Sequence, residues 1–266
     1  MTDIRRWVRR VRATKNLPTW HGIFSLTVLF GLWHAAGVLQ VGNFGEIPTP
    51  IEVGRALVEA AATRNYWWSW VVSGERVAIG FLAGVMIGVP LGLALGMNRT
   101  FHGIVFPVLE TLRPVPPLAW VPLSILFWPT LELSITFVIF LGAFFAVVLN
   151  VLGGVAAIDP SYLRAAASMG ARPRHIFWKI VLPATTPAIF TGMALGMGLT
   201  WEIVVAAEII AGKAGLGFLT WEGFVNGSLV AILVAMVSIG VAGYLSGGLI
   251  WLCGRWATPW QKKYSE

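Results

Sequence analysis

The stretch RAAASMGARPRHIFWKIVLP, residues 164–183, sets three arginines, a lysine and a histidine between two runs that a bilayer would accept almost whole. Whether it is a charged surface of a soluble domain or a loop between membrane spans decides the fold. Hydrophobic residues make up 57% of the chain and charged residues 12%, with a mean hydropathy of +0.76. Soluble domains carry about 25% charged residues, and a soluble fold this apolar would expose large adhesive patches. The chain therefore reads as an all-α integral membrane protein, and the basic stretch as a loop.

A spanning helix needs about 20 mostly apolar residues. Six such segments are expected, at 21–41, 76–97, 104–128, 133–156, 184–209 and 229–252. The third is the least regular, holding Glu110, Arg113 and several prolines. The remaining chain divides into a basic tail (1–20) and a short C-terminal tail (256–266), flanking a transmembrane domain at 21–255. The tail leads into apolar sequence without a small-residue cleavage motif, so a retained anchor is expected rather than a signal peptide.

An even number of spans puts both termini on one side. With the N-terminus inside, the inner segments collect Arg5, Arg6, Arg9, Arg10, Arg12, Lys15, Arg99, Arg164, Arg172, Arg174, Lys179, Arg255, Lys262 and Lys263, fourteen of the 19 basic residues. Positive charge gathers on the cytoplasmic side of membrane proteins, so both termini and the 164–183 loop are expected there. The net charge of +7 is then a topology signal and not a nucleic-acid footprint. Trp67, Trp68 and Trp70 before the second span, and Trp256 and Trp260 after the last, suit the headgroup region.

The second span carries Gly80, Gly84, Gly88, Gly92 and Gly96 at intervals of four, a small-residue face for close helix packing. Pro90 is placed to kink it. Gly192, Gly196 and Gly198 repeat the device in the fifth span.

Charges at membrane depth are costly and default to functional hypotheses. Glu110 and Arg113 stand three apart and are expected to neutralise each other on one helical face. Pro114, Pro116, Pro117 and Pro122 follow, removing four backbone donors; such a segment persists at depth where it is buried in protein or lines a watery cavity. A translocation path is accordingly expected from Glu110, Arg113, Pro116, Pro117 and Trp120, with Trp201 and Glu208 of the fifth span. Glu202 and Glu208 lie about 240° apart on a helix and do not form a paired site. The four histidines are scattered, the single Cys253 excludes an internal disulfide and a cysteine-based metal cluster, and GKAGLG (212–217) reads as a turn.

Residues 159–183 have the grammar of two short helices. Asp159 caps the first with Pro160 at its first position, Gly170 stops it, and Pro173 starts the second. Its spacing resembles the cytoplasmic signature loop of ABC-importer permeases: E-A-A, three residues, Gly, nine residues, Ile-x-Leu-Pro. Here it reads Arg164-Ala165-Ala166, Ala167-Ser168-Met169, Gly170, nine residues, Ile180-Val181-Leu182-Pro183, with arginine in place of the glutamate. RPVPPLAWVPL (113–123), VAAE (205–208) and GLGF (215–218) are similar to permeases of the nitrate/taurine/alkanesulfonate/bicarbonate group, the likeness covering about residues 70–255.

That resemblance implies a type I importer fold with a cytoplasmic coupling helix, and a channel subunit working as a pair, most simply a homodimer. It also implies two cytoplasmic ATPase subunits holding ATP and Mg, an extracytoplasmic solute-binding protein, and residence in the bacterial inner membrane. The chain has no phosphate-binding loop, so no cofactor and no catalysis of its own is expected. The coupling interface it implies is Arg164, Ala165, Ala166, Ser168, Met169, Gly170, Ala171, Arg172 and Arg174. The rival readings are an ATP-independent channel or secondary transporter, for which no internal repeat is found, and a membrane enzyme, for which no nucleophile–base constellation is found.

Overall fold

The computed structural model describes residues 19–39 and 46–260; most of the basic N-terminal tail, and Lys262 and Lys263, lie outside them. The chain divides into two units at Ala60–Ala61. The first holds α1 (Thr19–Val38) and α2 (Pro50–Ala61). Thr49 and Glu52 close the start of α2: the Thr49 amide donates to Glu52 Oε2 at 2.7 Å, and this bond holds the carboxyl below its ordinary value.

The second unit contains α3 (Arg64–Met97), α4 (Arg99–Leu112), a 3₁₀ turn (Pro117–Trp120), α5 (Val121–Phe127), α6 (Leu131–Ala156), α7 (Pro160–Ser168), α8 (Pro173–Ile176), a π-helical turn (Phe177–Val181), α9 (Leu182–Ala211), α10 (Leu216–Val225) and α11 (Leu229–Ala257). Four stretches are long and apolar enough to cross a membrane: Arg64–Met97, Leu131–Ala156, Pro173–Ala211 and Leu229–Ala257. Gly22–Val38 and Pro117–Phe127 are shorter apolar helices.

Three expectations change. The second span begins at Arg64 rather than residue 76, so Trp67, Trp68 and Trp70 sit within its first turns instead of ahead of it. The third is not one helix, because α4 ends at Leu112 and the chain re-forms helix only at Pro117. A residue before proline is driven out of the α region, and Pro116, which precedes Pro117, is accordingly extended at φ −58° and ψ 135°. The fifth does not restart at Pro183. Helix continues from Pro173 through the π turn, where the Leu182 amide reaches back to the Phe177 carbonyl. Proline has no amide to donate, and its ring crowds the carbonyl four residues earlier. The wider π turn makes room for it.

Helix α6 is the spine, with α3 and α9 packed along it. Gly80, Gly84, Gly88, Gly92 and Gly96 of α3 meet Ile139, Ala143, Val147, Val151 and Val155, themselves spaced by four on α6. The approach is backbone-close: a Cβ added at Gly84 would lie 2.6 Å from Ala143 Cβ and 2.9 Å from the Phe144 nitrogen. On the α9 side, a Cβ at Gly192 would lie 2.8 Å from Asn150 Cβ. The small-residue ladder is thus an intramolecular seam, and Val138, Ile139, Ala143, Val147, Val148 and Val151 are fully buried along α6.

Candidate functional site

Where α9 ends, Glu208 turns into the interior and is 0% exposed. Ser73 of α3 donates to both carboxylate oxygens, at 2.8 and 2.9 Å. Arg76 Nη1 donates to Oε1 at 2.7 Å, and the Gly217 amide to Oε2 at 2.9 Å. Arg76 also donates through Nε and Nη2 to the two oxygens of Glu132 at the start of α6, and through Nη1 to the Ala214 carbonyl. Ser73 Oγ accepts from the Leu216 amide at 2.8 Å. One arginine and one serine therefore tie α3, α6, α9 and the start of α10 together, and the buried charges Arg76 and Glu208 both have partners, as the low-dielectric interior demands.

The two short motifs at 205–208 and 215–218 have a shared explanation here. Gly215 has φ +128°, a conformation that suits glycine, and a Cβ there would collide with the Glu208 carboxylate. The turn expected at 212–217 is present, folded around that carboxylate. The partners Arg76, Ser73 and Glu132 were missed in the sequence; the signal available was an arginine and a serine three residues apart inside an apolar helix.

Glu202, on the other side of α9, is exposed. It lines a hollow of about 250 Å³ together with Arg113, Pro116, Pro117, Phe145 and Leu199. Gly142 and Ala146 of α6 form part of its wall, Gly142 lying close against the Ile203 side chain. The structure thus brings together Arg113, Pro116, Pro117 and the previously unassigned Glu202. Glu110 is exposed on α4 and makes no ion pair with Arg113 among the described residues, so the expected neutralisation is absent. Arg113, the C-cap of α4 with helical backbone angles, lines this hollow, whereas Glu110 does not.

Other members of the expected path are elsewhere. Trp120 lines a separate aromatic hollow of about 360 Å³ with Phe127, Trp128 and Phe137. Trp201 is buried, its Nε1 donating to Ser246 Oγ at 2.9 Å. Among the described residues no cluster of three or more His, Cys, Asp and Glu is placed to hold a metal.

The 159–183 loop folds as its residues dictate. Asp159 Oδ1 accepts from the Ser161 amide at 2.8 Å, with Pro160 opening α7. That bond holds the Asp159 carboxyl below its usual value, so the cap is in place at neutral pH and is lost as pH falls through the lowered value. At the far end, the Ala171 amide donates to the Ala166 carbonyl and the Gly170 amide to Ala167, both at 3.0 Å. With Gly170 at φ +80°, this is a Schellman closure, which favours glycine at that point. A Cβ on Gly170 would meet nothing within 4 Å. Within this chain the glycine is needed for its backbone conformation alone.

Around that stop, Arg164, Ala165, Ser168, Met169, Arg172 and Arg174 are exposed, Ala171 is half-buried and Ala166 is buried. Met169 is 82% exposed. Ala165 and Met169 therefore present the apolar tip outward, while Ala166 seats the helix on its own chain.

Four helical stretches long and apolar enough to cross a membrane, with an exposed, glycine-stopped loop joining α6 to α9, have the architecture of a multi-pass membrane protein. Residues 77–253 match the model of the binding-protein-dependent transport system inner membrane component family, and the chain belongs to that family. The taurine transport system permease protein of Escherichia coli K12 is 34% identical, covering 96% of this chain and 92% of its own. The nitrate import permease protein of Leptolyngbya laminosa is 33% identical, covering 94% and 90%. An ABC transporter permease protein of Methanocaldococcus jannaschii is 39% identical over 174 residues, 65% of each chain. Among solved structures, an inward-facing form of the MetNI methionine ABC transporter matches with a TM-score of 0.62 and 19% identity, covering 74% of this chain and 99% of that one; at that identity the likeness is one of fold.

Proposed function

We propose that this chain forms half of the membrane path of an ATP-driven, binding-protein-dependent importer for a small solute bearing an anionic group. Two copies form the passage, two cytoplasmic ATPase subunits hold ATP and Mg, and an extracytoplasmic protein delivers the solute. The chain does no chemistry of its own. Residues 21–255 act as the permease domain, and the 1–20 and 256–266 tails lie on the cytoplasmic side, as the distribution of basic residues favours.

The observation that carries this reading is the loop. It presents a capped helix tip with an exposed methionine beside three exposed arginines, in a loop that the distribution of basic residues assigns to the cytoplasmic side. Such a tip is suited to press into an apolar groove with an acidic rim, the form of a helix-in-groove contact. The hollow between residues 113–118 and α9 supports the path itself, since a broken backbone at membrane depth belongs beside a cavity. Arg113 supports the anionic group by electrostatic attraction. The names of the taurine and nitrate relatives point the same way.

A Met169→Cys variant, made after Cys253→Ser, tests the docking. In the assembled complex it is expected to cross-link to the ATPase subunit, whereas Lys213→Cys, beyond the other end of α9, is not. Cross-linking from Lys213→Cys and none from Met169→Cys would refute the orientation and the docking together.

A further inference from the structure

Arg113 and Glu202 line one hollow, both are exposed, and among the described residues neither makes an ion pair or a side-chain hydrogen bond. This contrasts with Arg76 and Glu208, each saturated with partners. Two opposite charges at membrane depth gain most by facing one another or a counter-charge. Here they sit on separate elements, Arg113 at the end of α4 and Glu202 on α9, and line the hollow without an ion pair between them. A lone guanidinium would favour any small anion. A carboxylate sharing its hollow repels a simple anion and attracts a cationic group.

We infer that the hollow is a charge-discriminating subsite for a small zwitterion, with Arg113 taking the acidic group and Glu202 the cationic group. The inference rests on the reading of this hollow as part of the translocation path. Its volume of about 250 Å³ equals roughly eight waters at about 30 Å³ each, so it suits a solute of a few carbons and not a large one. The opposed charges also make the hollow neutral, so an uncompensated anion meets no net attraction there. The glutamate is therefore the specificity-determining residue, and the arginine serves any acidic solute.

The test uses the permease–ATPase complex in detergent without a binding protein, so that selection by that protein does not enter. The probes are 2-aminoethanesulfonate, ethanesulfonate and ethylammonium, matched in size, each read as a ligand-induced rise in melting temperature. For the unaltered complex, the zwitterion is expected to bind at least about tenfold more tightly than ethanesulfonate, the scale of one hydrogen bond to a charged group. Glu202→Gln should bring the two sulfonates to within about twofold of each other, the change expected when that charged contact is lost. Arg113→Gln should weaken both sulfonates.

Equal protection by both sulfonates in the unaltered complex would overturn the inference. So would an unchanged order in Glu202→Gln, or no response to any probe at tens of millimolar. A lower melting temperature for Glu202→Gln with its preference intact would also overturn it, placing the carboxylate against the second copy instead. An Ala146→Leu variant, which fills the hollow, separates the two readings. If ATP-driven uptake survives it, the path reading fails; if uptake is lost while the probes show no charge preference, only the zwitterion subsite fails.

Discussion

Arg76→Ala is expected to lower stability by about 3–5 kcal/mol, the cost of removing one partner from a buried ion pair. The loss is not mainly that of an attraction. Glu208 stays fully buried with its strongest partner gone, and the Glu132 carboxylate, the Ala214 carbonyl and the start of α10 lose their common anchor. In a chain of this size such a change corresponds to a fall of about 6 °C or more in melting temperature, read by fluorescence on the purified protein in detergent. Glu132→Ala should cost far less, because that side chain is 64% exposed and its removal leaves Arg76 still paired with Glu208. Arg76→Ala/Glu208→Ala should be less damaging than the sum of the single changes, since the two residues share one network. An unaltered melting temperature for Arg76→Ala would remove the knot from the list of things that hold these four helices together.

Gly84→Leu is the second large effect. Overpacking typically costs about 1–3 kcal/mol, occasionally more, and this position belongs at the upper end. A flexible side chain opposite can swing away, but here a nearby atom is the Phe144 backbone nitrogen, 2.9 Å from the added Cβ. Relief therefore requires moving α3 off α6. Gly74→Leu, on the same helix but with open space around its Cβ, is the matched control and should be near neutral in the purified chain. If both variants melt alike, the α3–α6 seam is looser than its geometry states.

The membrane character, the seam and the loop were legible in the sequence because each rests on local rules. Apolar length, glycines at intervals of four and a proline–glycine bracket need no knowledge of distant residues. The third span misled because its apolar composition satisfied the length rule while its prolines broke the backbone, and the expected Glu110–Arg113 pair does not form because Arg113, at the end of α4, lines the hollow instead. The buried knot was not legible because its members are 135 and 56 residues apart along the chain. A lone arginine in an apolar helix signals that a partner exists, but not which. The Arg113–Glu202 hollow was half legible: the arginine drew attention through its prolines, whereas the glutamate had no local companion to mark it.

Whether this chain is a passage driven through its 159–183 loop by separate ATPases is read from the initial rate of uptake into proteoliposomes. The assembly holds permease, ATPases and binding protein, and the unaltered chain is compared with Gly170→Val. A valine at φ +80° carries a backbone penalty of about 1–2 kcal/mol, enough to shift the loop out of its closed form by about 5–30-fold. It clashes with nothing in the chain itself. ATP-dependent uptake is expected to vanish without the ATPases and to fall several-fold in Gly170→Val, with the permease melting temperature nearly unchanged. Uptake by the chain alone, or full ATP-driven uptake through Gly170→Val, would contradict that expectation.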